Sequence, residues 1–105
     1  MADILELTEA TFNDAVASGV TLVDFWATWC GPCRMQGSVL EKLAPELGDK
    51  AKIGKVNVDD NQELAVQFRV QSIPALFLFK DGQIVKEFNG LTRAADLLAA
   101  IDAAQ

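Results

Sequence analysis

Cys30 and Cys33 are the only thiols of the chain, and two residues separate them. An apolar run ends just before Cys30 and a helical pattern follows it, so a helix is predicted to begin here. Unpaired backbone N–H groups at the start of a helix attract negative charge and favour a thiolate over a thiol. Because the thiolate is the nucleophilic form of cysteine, Cys30 is the candidate nucleophile for thiol–disulfide exchange.

The spacing of the two cysteines supplies a partner for that nucleophile. Two intervening residues let Cys33 follow Cys30 around one helical turn, so the pair can close a small disulfide ring. Gly31 permits a tight bend between strand and helix, and Pro32 suits the first turn of a helix. We therefore expect a reversible Cys30–Cys33 disulfide and no bound cofactor, with Cys33 as the resolving thiol.

Two other interpretations of the cysteine pair stay open on spacing alone. A structural zinc site needs four nitrogen or sulfur ligands, whereas the chain offers two cysteines and no histidine. Two inert buried cysteines would also show this spacing, because CxxC by itself is a common short pattern. The position between strand and helix favours redox chemistry over both, and no metal site is predicted.

Composition narrows the class of protein. A chain of 105 residues, half of them hydrophobic, predicts one domain, 1–105, whose core needs no metal or disulfide. A net charge of −6 disfavours nucleic acid and anionic membranes as partners. The N-terminus does not resemble a signal peptide, and no apolar run approaches the roughly 18 residues of a membrane span. We expect a cytoplasmic, monomeric protein.

The elements that must position the dithiol follow from hydrophobic patterning. Gly, Pro and Asp cut the chain into alternating short segments, which is typical of an α/β protein. The segments 20–27 and 51–58 are almost continuously apolar, as expected of central strands covered on both faces. Asp81-Gly82 predicts a tight hairpin. The predicted order is βαβαβαββα, with strands at 4–7, 20–27, 51–58, 75–80 and 83–88 and helices at 8–19, at 33–48, from 61 and from 92.

The helix that follows the dithiol is the longest predicted element. Pro45 is expected to kink or end it, and Asn61 and Thr92 are expected to begin the next two helices. The evidence for the helix is a set of apolar residues at helical spacing, namely Met35, Val39, Leu40, Leu43 and Leu47.

Four segments, in this order along the chain, resemble the thioredoxin family: VDFWA at 23–27, WCGPC at 29–33, KVNVD at 55–59 and SIP at 72–74. The resemblance implies an α/β thioredoxin fold, a mixed five-stranded central sheet in the order 1-3-2-4-5 flanked by four helices. It also implies that the protein reduces disulfides in client proteins. An NADPH-dependent flavoprotein, thioredoxin reductase, would then supply the electrons.

Asp24 interrupts an apolar strand, and the pattern alone favours an exposed carboxylate at the strand end. The resemblance instead implies an acid buried beneath the active site. Desolvation would raise the pKa of that acid and suit it to exchange a proton with Cys33. Lys55 would be its partly buried neighbour, so the predicted catalytic residues are Cys30, Cys33, Asp24 and Lys55.

The bond between Ile73 and Pro74 is trans by base rate, but the resemblance implies a cis-proline opposite the dithiol. The adjoining backbone would pair with an extended client through β-like hydrogen bonds. Trp29 would lie exposed on the same docking surface. The predicted substrate-binding residues are Trp29, Gly31, Pro32, Ser72, Ile73, Pro74 and Gly90.

Two positions depart from the family pattern. Ser38 stands where many members carry a proline that kinks the helix, and its hydroxyl can bond back to the carbonyl of Arg34. We therefore predict a straighter or more stable helix. Ala75 stands where threonine is common, which removes a hydroxyl near the substrate groove. Activity should persist, with an altered potential or client preference.

Two rival functions follow from the same fold. A binding module would act by docking, with dispensable cysteines. An oxidase or isomerase would share the dithiol, because reduction potential and not fold sets the direction of exchange. The Gly31-Pro32 pair between the cysteines resembles the reducing members of the family.

Overall fold

The computed structural model describes residues 4–105. The first three residues of the predicted domain therefore lie outside the described residues. One five-stranded sheet has the order β1-β3-β2-β4-β5, with parallel pairs up to β2 and antiparallel pairs beyond it. The predicted thioredoxin fold is confirmed, whereas the extent of the domain, 1–105, stays a prediction. The elements are β1 Ile4–Glu6, α1 Phe12–Val16, β2 Val20–Trp26, α2 Gly31–Leu47, β3 Lys52–Asn57, α3 Gln62–Gln67, β4 Ala75–Lys80, β5 Gln83–Asn89 and α4 Ala94–Ala103.

Helix α1 is shorter than the predicted 8–19. The backbone N–H of Thr8 donates to Oγ1 of Thr11 over 3.0 Å, so a side chain competes for the backbone and forms a turn where a helix was expected. The helix then runs from Phe12 and ends at Val16, three residues before Gly19, whose φ of +73° is incompatible with a helix.

The predicted starts of the last two helices, at Asn61 and Thr92, are only partly right. Asn61 does hold the position before α3, but its side chain makes no capping bond; it accepts from the backbone of Glu9 and donates to the carbonyl of Asn57. Helix α4 begins at Ala94 and not at Thr92. The backbone of Thr92 is instead bonded to a side chain of α2, Gln36.

Helix α2 begins at Gly31, two residues before the predicted start, and passes through Pro45 to end at Leu47. Pro45 does not end the helix, because a proline near the last turn forfeits few backbone bonds, and the alternative that it kinks the helix stays a prediction. Met35 is also misplaced by the prediction, since 59% of it is exposed and Gln36 is buried instead. The buried stripe of α2 therefore holds Cys33, Gln36, Gly37, Leu40, Leu43, Ala44 and Leu47.

Side chains of β2 alternate between two cores, one on each face of the sheet. Leu22 packs with α2 and α4, whereas Phe25 packs with α1 and α3. Asp24 shares the face of Leu22, beneath α2. In the strand register it stands between Lys55 of β3 and Leu76 of β4, so the carboxylate lies at the centre of the sheet.

The predicted hairpin between β4 and β5 is confirmed. Asp81 and Gly82 have φ values of +50° and +85°, which a two-residue turn between twisted strands requires. The side chain of Asp81 also accepts from the backbone N–H of Gly19 over 2.8 Å. Among residues 4–105, no helix is both long and apolar enough to cross a membrane.

Candidate active site

The two cysteines lie at the junction of β2 and α2 and form a disulfide. Cys30 occupies the cap position of α2 with extended backbone, and Cys33 lies in the first turn. The backbone N–H of Cys33 donates to Sγ of Cys30 over 3.2 Å. The helix start thus directs a backbone donor at the sulfur, the arrangement that stabilises a thiolate once the disulfide is reduced.

One groove brings together most of the predicted substrate-binding residues. Its volume is about 540 Å³, and Sγ of Cys30 lies 3.8 Å from the carbonyl oxygen of Ile73 across it. Val58, Val70 and Gln71 also line it and were missed by the sequence analysis. The predicted residues on its walls are Trp29, Cys30, Gly31, Pro32, Ser72 and Ile73.

Pro74 and Gly90, the other two predicted substrate-binding residues, do not line this groove. The Ile73–Pro74 bond is cis, as the family resemblance implied. The backbone N–H of Gly90 donates to the carbonyl of Pro74 over 2.8 Å, and Pro74 is buried while Ser72 is exposed. Gly90 therefore supports the proline loop from the side of β5.

Asp24 is fully buried, with none of its surface exposed. Neither of its carboxylate oxygens accepts a hydrogen bond from any residue of the described chain. Burial raises the pKa of Asp24 from 3.8 to about 7, and the positive charge of Lys55 opposes part of that rise. Near neutral pH this carboxyl can therefore either hold or release a proton.

Lys55 is the neighbour of this acid on β3, and it also contacts Trp26. Nζ of Lys55 lies 4.3 Å from the centre of the Trp26 ring, a favourable cation–π contact. Gly37 of α2 stands over the same ammonium, since a Cβ at this glycine would lie 3.6 Å from Nζ. Lys55 is half-buried, as predicted, and acts on Asp24 through its charge.

Trp29 projects from the site with 67% of its surface exposed. Its Nε1 donates to Oδ2 of Asp59 over 2.9 Å, which fixes the indole beside the groove. Sequence reasoning missed both Asp59 and Val58. The signal was available, because both follow β3, and the carboxyl ends of the parallel strands β2 and β3 meet at one edge of the sheet.

Ser38 and Ala75, the two departures from the family pattern, lie in α2 and at the start of β4. Oγ of Ser38 donates to the carbonyl of Arg34 over 3.4 Å, which confirms the predicted back-bond, and the helix is continuous through this residue. Its greater straightness or stability stays a prediction. Ala75 is the buried first residue of β4, opposite Phe25, and its effect on client preference also stays a prediction.

Gln36, three residues after Cys33, is buried where the sequence analysis placed Met35 inward. It is fully buried, accepts from the backbone N–H of Thr92 over 2.7 Å and donates to the Thr92 carbonyl over 3.0 Å. Helical spacing could have marked it, because Gln36 stands four and seven residues before Leu40 and Leu43 on the inward face of α2, but its polarity argued against burial.

The sequence analysis predicts no metal site for this chain. Across residues 4–105, no group of three His, Cys, Asp or Glu side chains lies close enough together to hold a metal ion.

Comparison with known proteins relates the whole architecture to one family. The thioredoxin family model matches residues 3–103. Thioredoxins of Staphylococcus saprophyticus and Staphylococcus aureus are 48% identical over 99 residues, which span 94% of this chain and 95% of theirs.

Solved structures give the same result. A mutant thioredoxin from Halobacterium salinarum superposes with a TM-score of 0.90 at 36% identity, covering 97% of this chain and 90% of that one. The thioredoxin of Malassezia sympodialis superposes with a TM-score of 0.86 at 34% identity, covering 99% and 92%.

Proposed function

Because this chain belongs to the thioredoxin family and is a dithiol–disulfide oxidoreductase, we propose that it reduces disulfides in client proteins. The observation that supports this most is the place of Cys30, at the start of α2 and in the wall of an open groove. A client disulfide that enters the groove can reach that sulfur in the reduced protein. Cys33 is bonded to the same sulfur in the oxidised protein, so the resolving thiol is within reach of it.

The first step forms a mixed disulfide. The Cys30 thiolate of the reduced protein attacks one sulfur of the client, a new S–S bond forms, and the client's own S–S bond breaks. The second client sulfur leaves as a thiolate and takes a proton from solvent. The N–H of Cys33, which points at Sγ of Cys30, keeps the attacking sulfur ionised.

The second step releases the client. Cys33 loses its proton and attacks Sγ of Cys30, so the Cys30–Cys33 bond forms and the remaining client sulfur leaves reduced. Asp24 accepts the proton of Cys33, because an acid with a pKa of about 7 can take and return protons near neutral pH. The positive charge of Lys55 stabilises the carboxylate form of Asp24 between cycles.

The client binds along the groove in extended form. Backbone groups of Ser72 and Ile73 pair with it by short β-like hydrogen bonding, while Trp29, Gly31 and Pro32 provide the opposite wall. The geometry in support is the short separation of Cys30 Sγ from the Ile73 carbonyl oxygen, 3.8 Å.

Each cycle leaves the protein oxidised by two electrons, so a donor must restore the dithiol. We assign that role to an NADPH-dependent flavoprotein, thioredoxin reductase, with no cofactor bound to this chain. A cytoplasmic, monomeric protein suits this cycle, because a reducing compartment keeps the dithiol available.

Trapping of the mixed disulfide tests the proposal. Cys33→Ser should accumulate a covalent adduct with a disulfide-containing protein such as insulin, detectable by mass, because the resolving thiol is gone. Cys30→Ser is the matched control and should form none. Rapid multiple turnover by Cys33→Ser would contradict the assigned roles.

The direction of exchange needs its own measurement. The Cys30–Cys33 couple should equilibrate at a potential below that of the cytosolic glutathione couple, as a reductase requires. A higher potential would identify an oxidase or isomerase instead. Retained biological function in a Cys30→Ser/Cys33→Ser double variant would identify a binding module.

A further inference from the structure

Gln36 links the active-site helix to the segment between β5 and α4. It lies three residues after Cys33 on the inward face of α2, and none of its surface is exposed. Both ends of its amide are used by a single residue, because it accepts from the backbone N–H of Thr92 and donates to the carbonyl of Thr92. The pairing joins residues 56 positions apart in the sequence.

The linkage continues from Thr92 to the groove. Oγ1 of Thr92 donates to the carbonyl of Gly90 over 3.0 Å, and the N–H of Gly90 donates to the carbonyl of Pro74 over 2.8 Å. The peptide before Pro74 carries the Ile73 carbonyl that faces Sγ of Cys30 at 3.8 Å. The contacts therefore close a ring from α2, through residues 90–92 and the proline loop, back to the dithiol.

The composition of this ring argues for positioning more than for stability. A buried apolar side chain at position 36 would stabilise the core without the directional demands of an amide. Two hydrogen bonds to one backbone unit fix both the distance and the orientation of that unit, and a missing partner would leave a buried polar group unpaired. Polar groups buried in this way specify one arrangement of the segments that they join.

We propose that Gln36 is a positioning residue that holds residues 90–92, and through them the Ile73–Pro74 loop, at a fixed distance from the dithiol. The client-pairing backbone and the Cys30 sulfur then meet an extended client in register. Small disulfides do not need that register, because they reach the sulfur without pairing along the loop. The inference rests on the proposed function and adds a determinant of client recognition to it.

Steady-state kinetics with two disulfides test the assignment. Gln36→Met keeps the side-chain length and removes both hydrogen bonds. We expect it to raise KM for insulin about tenfold, which corresponds to about 1.4 kcal/mol, with kcat nearly unchanged. Reduction of hydroxyethyl disulfide should change less than about twofold, because exchange at Cys30 itself is intact. Dithiothreitol serves as the electron donor for both substrates.

Two further variants separate positioning from general damage. Thr92→Val retains the backbone bonds to Gln36 and breaks only the bond to Gly90, so KM for insulin should rise about threefold, by about 0.7 kcal/mol. Met35→Gln places an amide at the exposed neighbouring position and should match the wild type with both substrates. Amide hydrogen exchange should quicken at Gly90 in Gln36→Met and in Thr92→Val, and not in Met35→Gln.

The possible outcomes separate the positioning role of Gln36 from the proposed reduction of client disulfides. Equal losses with insulin and hydroxyethyl disulfide, or unchanged exchange at Gly90, would make Gln36 merely structural and overturn the assignment. A wild-type protein that reduces both substrates, with Gln36→Met indistinguishable from it, would overturn this inference alone. A wild-type protein that reduces only hydroxyethyl disulfide would overturn the proposed function and this inference together.

Discussion

The two faces of the sheet differ sharply in what they bury. Beneath α1 and α3 the core is mainly apolar and aromatic, with five phenylalanine rings in mutual contact at centroid separations of 5.2–5.9 Å. Its buried polar residues, Thr21 and Asn61, are uncharged and hydrogen-bonded to neighbouring backbone. Beneath α2 and α4 the apolar core is interrupted by a fully buried acid, Asp24, and a fully buried amide, Gln36. The five rings are those of Phe12, Phe25, Phe68, Phe77 and Phe79.

This difference shows how one small domain separates stability from chemistry. An aromatic cluster contributes through area removed from water and through ring packing. An unpaired buried carboxylate opposes folding when it is charged, since it has lost its hydration. The sheet lies between them, so the aromatic face stabilises a fold whose other face carries a destabilising group near the dithiol. Substitutions on the two faces should therefore have different signatures.

The largest effect is expected on the aromatic face. Phe12 is buried and contacts the rings of Phe68 and Phe79. Phe12→Ala should lower the free energy of unfolding by about 3–5 kcal/mol, from lost burial and the cavity that remains. Urea denaturation measures it. Insulin reduction by the folded variant should stay within about twofold of wild type, since the expected loss is in folding and not in the transition state.

Phe12→Leu is the matched control for this substitution and should be the milder of the two, because more of the apolar volume is retained. A loss of insulin reduction as large as the loss of stability would contradict the separation of the two faces.

The second effect is expected on the polar face, where Asp24→Asn should be more stable than the wild type above neutral pH. Between about pH 4 and 7 the unfolded chain loses the Asp24 proton while the folded protein, with a pKa of about 7, keeps it. The folded state then binds more protons, so stability falls as pH rises, by about 4 kcal/mol in full. Asp24→Asn removes this slope. At pH 8 it should be more stable than wild type by about 2 kcal/mol, after the cost of a buried amide.

The measurement is urea denaturation of the oxidised protein from pH 4 to pH 8, with wild type and variant compared at each pH. Asp14→Asn, at an exposed position of α1, is the control and should leave the pH slope unchanged. A wild-type curve parallel to that of Asp24→Asn would show that Asp24 does not titrate in this range.

These features were predictable from the sequence to very different degrees. The central strands and the Asp81-Gly82 turn follow from local patterns, since strand burial and turn geometry depend on neighbouring residues. The burial of Asp24 did not follow from pattern, because one polar residue in an apolar run fits a strand end equally well. It was reached only through resemblance to a family.

The misplacement of Met35 has another physical origin. At 100° per residue Gln36 falls inside the stripe formed by Leu40, Leu43 and Leu47, whereas Met35 falls well outside it, so helical spacing did favour position 36. Polarity pointed the other way, because methionine is apolar and glutamine is not. The amide can be buried because the backbone of Thr92 offers it two hydrogen bonds. Such a contact between distant segments exists only after the chain has folded, so the partner of Gln36 and the late start of α4 had no local signature.

The smallest effect is expected from the cation that moderates the polar face. Lys55 lowers the pKa of Asp24 against the larger effect of burial, so Lys55→Met should raise that pKa further. At pH 5 the acid is neutral in both proteins, and the variant should lose only its contact with Trp26, about 0.5–1 kcal/mol. At pH 8 the loss of stability should be larger, because the folded variant must either hold the carboxylate without a neighbouring cation or keep a proton that the unfolded chain has released.

Titration of the Asp24 carboxyl carbon by NMR measures the change in pKa directly, and urea denaturation at pH 5 and pH 8 measures its energetic consequence. Lys55→Arg keeps the charge and should leave the pKa of Asp24 close to that of the wild type. An equal loss of stability at the two pH values would mean that Lys55 acts through packing against Trp26 alone. In that case the polar face would owe its charge balance to some other group, and the contrast between the faces would rest on Asp24 and Gln36 only.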